Sequence, residues 1–274
     1  METQLLLGCD FSSAPTKRKP IVIARGALDG NAVRLVQLHD FATLDAWSAW
    51  LAEAPTWVGG FDFPFGLPRE LLVHLDWPLD WASSMAHYAG MSRAEIRATF
   101  AAFCAARPDG GKFAHRATDA PAGSSPSMKW VNPPVAYMLH AGVPRLLAAG
   151  ACMPAHGLAA EAFANRVALE AYPGLLAREL IGRRSYKADD LARQTPERRS
   201  ARADVIDALC GAGSDRLGIR LALEASQRIS LLEDAQGDRL DAVLCLLQAA
   251  WASSQPGWGL PVGVDPLEGW IVSA

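Results

Sequence analysis

Paired-cysteine motifs are missing from this chain. Its five cysteines, Cys9, Cys104, Cys152, Cys210 and Cys245, stand far apart and never form a C-x-x-C pair, which excludes a zinc ribbon and a thioredoxin-like redox site. An odd number of cysteines in a chain of 274 residues, long enough to fold without staples, reads as free thiols. A large charge excess is also missing. Lys and Arg total 26 against 29 Asp and Glu, a net charge of -3, so a polybasic, histone-like binder is excluded and any polyanion must be met by a local patch. Long apolar runs are absent too: the longest, residues 242–252, is interrupted by Gln248 and falls short of the roughly 18–20 residues of a spanning helix. The start METQLLLGCD has neither a basic region nor a long apolar stretch, so no membrane segment and a cytoplasmic location are expected. No G-x-x-x-x-G-K-[ST] occurs, which excludes a P-loop, and Gly211-Ala212-Gly213-Ser214 reads as a break between helices. The histidines show no metal-ligand spacing.

What is present is an ordinary globular composition, 50% hydrophobic and 20% charged, that excludes disorder of the whole chain. Residues 5–9, 20–24 and 33–38 carry strand-like patterns separated by the short turn signals Ser12-Ser13-Ala14-Pro15 and Leu28-Asp29-Gly30-Asn31, which predicts an antiparallel meander. Thr43 is a candidate N-cap for a helix carrying Leu44, Trp47, Trp50 and Leu51 and ending before Pro55. Residues 57–62 then form an apolar strand ending at Asp62, and Phe63-Pro64-Phe65-Gly66-Leu67-Pro68 must be loop because of its prolines. The order is βββαβ. A strand reached through a helix returns parallel to the first, which places Asp10 and Asp62 at the same edge of one sheet, where open α/β folds bind ligands.

Residues 69–165 read as a mainly helical insertion within one domain spanning 1–274, with a capping box at Ser92 and Glu95 and a long irregular loop over 107–134. The sheet resumes at 167–170 as a fifth strand, followed by Tyr172-Pro173-Gly174 and a helix through Leu180. Further helices are predicted from Thr195, a candidate N-cap with Pro196 at the first helical position, over 218–232, and from Asp238 to before Pro256.

Five acids mark the chemistry. Asp10, Asp62 and Glu170 end strands, and Asp238 and Asp241 lie at i and i+3 on the last helix. If the topology holds, these like charges converge, and converging carboxylates require cations; an all-oxygen set points to Mg²⁺ or Mn²⁺. Two such ions about 3.5–4 Å apart would activate water and stabilise the leaving oxygen in phosphodiester hydrolysis. Alongside them, Arg178, Arg183, Arg184, Lys187, Arg193, Arg198, Arg199 and Arg202 face only Glu179, Asp189, Asp190 and Glu197. This local basic patch is suited to a nucleic-acid backbone, with Lys187, Arg183 and Arg184 as phosphate contacts, or else is a solvated helix face. In the long loop, Arg116 within His115-Arg116-Ala117-Thr118-Asp119 is a further candidate substrate contact, or a participant in local turn hydrogen bonds.

The βββαβ opening with Gly8-Cys9-Asp10-Phe11-Ser12-Ser13, Asp62 on the fourth strand, and Gly237-Asp238-Arg239-Leu240-Asp241-Ala242 on the last helix resemble the ribonuclease H-like superfamily, the D-x-x-D-A step being similar to that of RuvC-type resolvases. More specifically, residues 60–68, Glu170-Ala171-Tyr172-Pro173, Asp241-Ala242 and Glu268-Gly269-Trp270-Ile271 resemble the DUF429 family, described as predicted nucleases of ribonuclease H-like fold. The resemblance implies a mixed five-stranded α/β sheet flanked by helices. It makes Asp10, Asp62 and Asp241 the principal metal ligands, with Asp238 or Glu170 completing the set; for Glu170, capping or pairing with an arginine stands beside that role. It implies a metal-dependent nuclease acting on nucleic acid. A non-catalytic binding module of the same fold and an actin-like nucleotide phosphotransferase are the alternatives, the latter lacking a second glycine-rich phosphate loop here. One departure is that Phe11, not glycine, follows Asp10.

Overall fold

The computed structural model describes residues 5–54, 56–108, 111–157 and 165–274. Pro55, the expected stop of the first helix, lies outside them, as do residues 109–110 and 158–164 of the expected insertion. The elements are β1 (Leu6–Asp10), β2 (Ile21–Asp29), β3 (Ala32–Phe41), α1 (Leu44–Glu53), β4 (Trp57–Phe61), α2 (Arg69–His74), α3 (Trp81–Ala89), α4 (Arg93–Ala105), α5 (Asp119–Ala122), α6 (Val135–Ala148), β5 (Arg166–Glu170), α7 (Pro173–Ile181), α8 (Pro196–Cys210), β6 (Arg220–Ala222), α9 (Ala225–Glu233) and α10 (Asp238–Ser254).

The strands form one six-stranded mixed sheet, ordered β5-β4-β1-β2-β3-β6. β2 runs antiparallel to both β1 and β3, whereas β4 is parallel to β1 and β5 parallel to β4. β1 and β4, in the middle of the sheet, are buried on both faces, which is why they read as continuous apolar runs. The period-2 alternation sorts their side chains into two cores. Leu7, Cys9, Ile21 and Ile23 pack with Trp47 and Leu51 of α1 and with Phe100 and Leu139 from the stretch between β4 and β5. Leu6, Val22 and Ala24 pack on the other face with Leu176, Val205 and Leu244 from α7, α8 and α10.

Local signals set several boundaries. Thr43 accepts a hydrogen bond from the Ala46 amide at 3.2 Å, as an N-cap does. Ser92 and Glu95 form both halves of the capping box, at 3.2 and 2.7 Å. At α8 the proline stands at the first position as expected, but the Thr195 side chain makes no capping bond.

The expected helix over 218–232 is a correction: it contains strand β6 and helix α9. Arg220, Leu221 and Ala222 pair in parallel with Ala32, Val33 and Arg34. The free edge of β3 supplies hydrogen-bond partners that no local pattern reveals, and the sheet gains a sixth strand. The Gly211–Ser214 break accordingly leads from a helix into a strand.

The packing of α10 on the sheet is unusually close. A Cβ on Gly8 would overlap the Ala242 carbonyl and the Leu246 amide, and one on Gly60 would meet the Cys245 carbonyl at 2.5 Å. Only glycine at these two positions lets the helix backbone lie directly on β1 and β4. That contact delivers the first turn of α10 to the C-terminal ends of those strands.

Candidate functional site

Asp10 is the last residue of β1, and Asp62 directly follows β4, its amide donating to the Cys9 carbonyl at 2.9 Å so that the parallel pairing extends one residue further. Asp241 lies in the first turn of α10. One carboxylate oxygen from each of the three lies within 4.8 Å of the others. Asp10 is 9% exposed and Asp241 fully buried. Neither the Asp10 nor the Asp62 carboxylate has a hydrogen-bond or ion-pair partner among the described residues. An unpartnered buried carboxylate such as that of Asp10 is costly, and the all-oxygen donor set, with Asp62 half-buried beside it, suits a hard divalent cation. The residues present therefore fit Mg²⁺ or Mn²⁺.

The electrostatics follow from burial. Desolvation first, and then the charges of Asp238 and Asp241, push the Asp10 carboxyl well above the usual carboxylate range, with Lys187 opposing. Burial pushes Asp62 up to about 7 against the pull of Lys187. Asp238, 5% exposed, is pushed by burial up to about 6, countered by Lys19. The cluster holds its charge only with compensating cations.

Two cations already stand there. Lys187 donates to Oδ2 of Asp241, while the buried Tyr186 hydroxyl donates to Oδ1 of the same carboxylate. Lys19 bridges Asp189 and Asp238, the latter at 3.9 Å. The 186–187 segment is itself clamped from α8: Arg202 donates to the Tyr186 carbonyl at 2.7 Å and Arg198 to the Lys187 carbonyl at 2.6 Å.

Glu170 stands apart from the three aspartates. Its oxygens accept from Arg116 at 2.6 and 2.7 Å, and one also accepts from the Phe65 amide at 3.0 Å, the arginine pairing that competed with a metal role in the sequence. Arg116, expected at the substrate, is a correction. It is 3% exposed, and its five N–H donors are consumed by Asp119, Glu170 and the Glu268 carbonyl; no donor is left for a phosphate. Glu268 accepts from the amides of Arg69 at 2.8 Å and Ala117 at 2.9 Å. The loop over 63–68, Glu170 and the Glu268 tail, which the resemblance joined by sequence, thus meet in one buried polar network that holds the loop following Asp62.

Of the basic segment, Arg184 pairs with Asp204 at 2.6 Å, Arg199 pairs with Glu233, and Arg178 lies over the Tyr172 ring at 5.3 Å. Arg183 is exposed and makes no hydrogen bond or ion pair with the described residues. Three cavities meet at Asp62 and Lys187. One of about 430 Å³ reaches Asp10, Lys19 and Asp238; one of about 320 Å³ is walled by Phe63, Met138 and Tyr172; one of about 410 Å³ runs to Arg183 and Arg184. Sequence reading missed Tyr186, Lys19 and the clamping role of Arg198 and Arg202. The Lys17-Arg18-Lys19 run after the first turn was a visible signal for Lys19; nothing local marked the others. No helix among the described residues is long and apolar enough to cross a membrane. A comparison with protein-family profiles, with curated proteins and with solved structures finds no match to this chain.

Proposed function

We propose that this protein is a divalent-metal-dependent phosphodiesterase of ribonuclease H-like fold, related to the DUF429 family, that hydrolyses nucleic acid. The observation that carries the reading is the convergence of Asp10, Asp62 and Asp241 to within 4.8 Å, with the nine-tenths-buried Asp10 carboxylate left without a partner. The sheet supports the fold assignment: an antiparallel β1-β2-β3 meander with β4 and β5 added in parallel on the other side of β1 makes a mixed, helix-flanked sheet of the kind the resemblance implies, extended by β6 to six strands. The open cleft beside the acids supports a polymeric substrate, because cavities extend from Asp62 both toward Lys19 and toward Arg183 and Arg184.

In this reading Asp10 and Asp62 hold the ion and Asp241 completes the acidic ring. A divalent ion held there would supply Lewis acidity toward the phosphodiester and would lower the pKa of a water enough for it to act as nucleophile near neutral pH. Arg183, with its guanidinium uncommitted, binds a backbone phosphate; Lys187 faces the same space from the edge of the acidic ring. No histidine is needed as a base.

The test is a cleavage screen with labelled single-stranded, duplex and branched DNA and RNA in Mg²⁺ or Mn²⁺, using wild type, Asp10→Asn and Asp62→Asn. The expected result is metal-dependent cleavage of at least one substrate, lost by both variants. Cleavage that survives both substitutions or persists in chelator refutes the assignment.

A further inference from the structure

The charges at the site are unevenly compensated, and the imbalance is informative. Asp241 has both oxygens engaged, Oδ1 by the Tyr186 hydroxyl and Oδ2 by the Lys187 ammonium. Asp238 has Lys19. Asp10 and Asp62 have neither hydrogen bond nor ion pair among the described residues. Within the ring of three aspartates, the carboxylates left with no partner are therefore two, which one divalent ion matches.

Lys187 is built into this position. Gly237, with φ +79°, caps α10 where a Cβ would come within 2.7 Å of the Lys187 Cβ, so the lysine stem runs directly past the helix start. Arg202, itself 4% exposed, and Arg198 grip the carbonyls of Tyr186 and Lys187. The lysine also lines all three cavities that meet at Asp62. Its ammonium is at once held on the acidic ring and open to the cleft.

We propose that Lys187 supplies the second positive charge of the site, so that a single divalent ion, held by Asp10 and Asp62, completes it. This rests on the metal-site reading above and revises the two-ion expectation drawn from the sequence. Lys187 then offers a fixed charge to a phosphate oxygen, while Arg198, Arg202 and Tyr186 act as positioning residues. A lysine charge is placed by folding and needs no free metal concentration to be present.

Manganese titration decides the point, with bound and free Mn²⁺ counted by electron paramagnetic resonance and checked calorimetrically. Wild type is expected to bind one Mn²⁺ per chain, and Lys187→Met two. Lys187→Gln, which retains a hydrogen bond for Asp241, is expected to behave like Lys187→Met and guards against misfolding, monitored by circular dichroism. Two ions in the wild type overturn the proposal while leaving the metal-dependent reading intact, and that measurement requires no variant. A single ion in both folded variants also overturns it. No Mn²⁺ bound by any of the proteins overturns both the proposal and the reading on which it rests.

Discussion

Lys187 and Asp241, 54 positions apart, form an ion pair in which the aspartate is wholly buried and the lysine side chain retains 42% of its exposure. One partner belongs to the floor of the site and the other to its open wall. The pair therefore ties the first turn of α10, which carries the acid, to the segment entering the basic region. It also explains why a cluster of buried acids is tolerated: part of their charge is matched by residues whose placement is enforced by arginines on α8.

Asp10→Asn separates stability from function. The Asp10 carboxylate is buried without a partner, so neutralising it relieves desolvation and repulsion from Asp238 and Asp241. In chelator, the variant is expected to melt about 2–4 °C higher than wild type, the equivalent of roughly 1 kcal/mol for a chain of this size. Cleavage and Mn²⁺ binding are expected to be lost. A scanning calorimetry trace showing a lower melting temperature would contradict this account.

Gly8→Ala tests the seating of α10. The added methyl overlaps the Ala242 carbonyl and Leu246 amide, backbone atoms that can move only if the helix lifts from the sheet. A loss of about 3 kcal/mol in urea denaturation is expected, at the upper end of ordinary overpacking. Mn²⁺ affinity should fall with it, because Asp241 rides on the displaced helix. Wild-type stability in the variant would mean that the close helix–strand contact is not needed.

Arg116→Met leaves Glu170 and Asp119 buried without their cation. Breaking such a pair from one side costs about 3–5 kcal/mol. Adding Glu170→Gln is expected to restore part of that loss, since without the guanidinium Glu170 keeps only the Phe65 amide, whereas Asp119 keeps the residue-116 amide and the Ser124 hydroxyl. A double-mutant cycle in urea measures the coupling, and additive losses would show that the two residues do not act as a pair.

His156 sets a pH dependence away from the acids. It is 5% exposed, stacks on Trp81 at 4.5 Å, and its Nδ1 lies 2.7 Å from the Pro266 carbonyl while Nε2 has no partner. Burial, reinforced by the charge of Arg116, pushes the imidazole down to about 4. Between that value and the ordinary 6.5 of the unfolded chain, the unfolded state binds a proton that the folded state refuses. Stability contributed by the neutral ring is thus fully present above about 6.5 and is lost as pH falls toward 4, by up to about 3 kcal/mol. His156→Gln should flatten this part of the urea stability profile; an unchanged slope would assign it to other groups.

Much of the framework was readable in advance because it depends on short-range rules. The turn signals after Asp10 and Leu28 foretold the meander, and Thr43 and the Ser92–Glu95 box marked helix starts through hydrogen bonds spanning only three residues. The order of elements put Asp10 and Asp62 at one edge because a strand reached through a helix returns in parallel. β6 escaped notice because three residues acquire strand conformation only from the exposed edge of β3. Arg116 was misplaced for a related reason: a polar residue in a long irregular loop looks solvent-facing until the acids 3 and 54 positions away enclose it.

The amino-acid sequence by itself thus determined the alternation of the strands, the helix caps and the supply of acids at strand and helix ends, all consequences of local periodicity and backbone chemistry. Only the tertiary structure decided which charges meet. Glu170 turned to Arg116, Lys187 turned to Asp241, and Asp10 and Asp62 were left facing each other unpartnered, because those choices depend on how closely α10 can lie on Gly8 and Gly60 and on distances that separation along the chain does not encode.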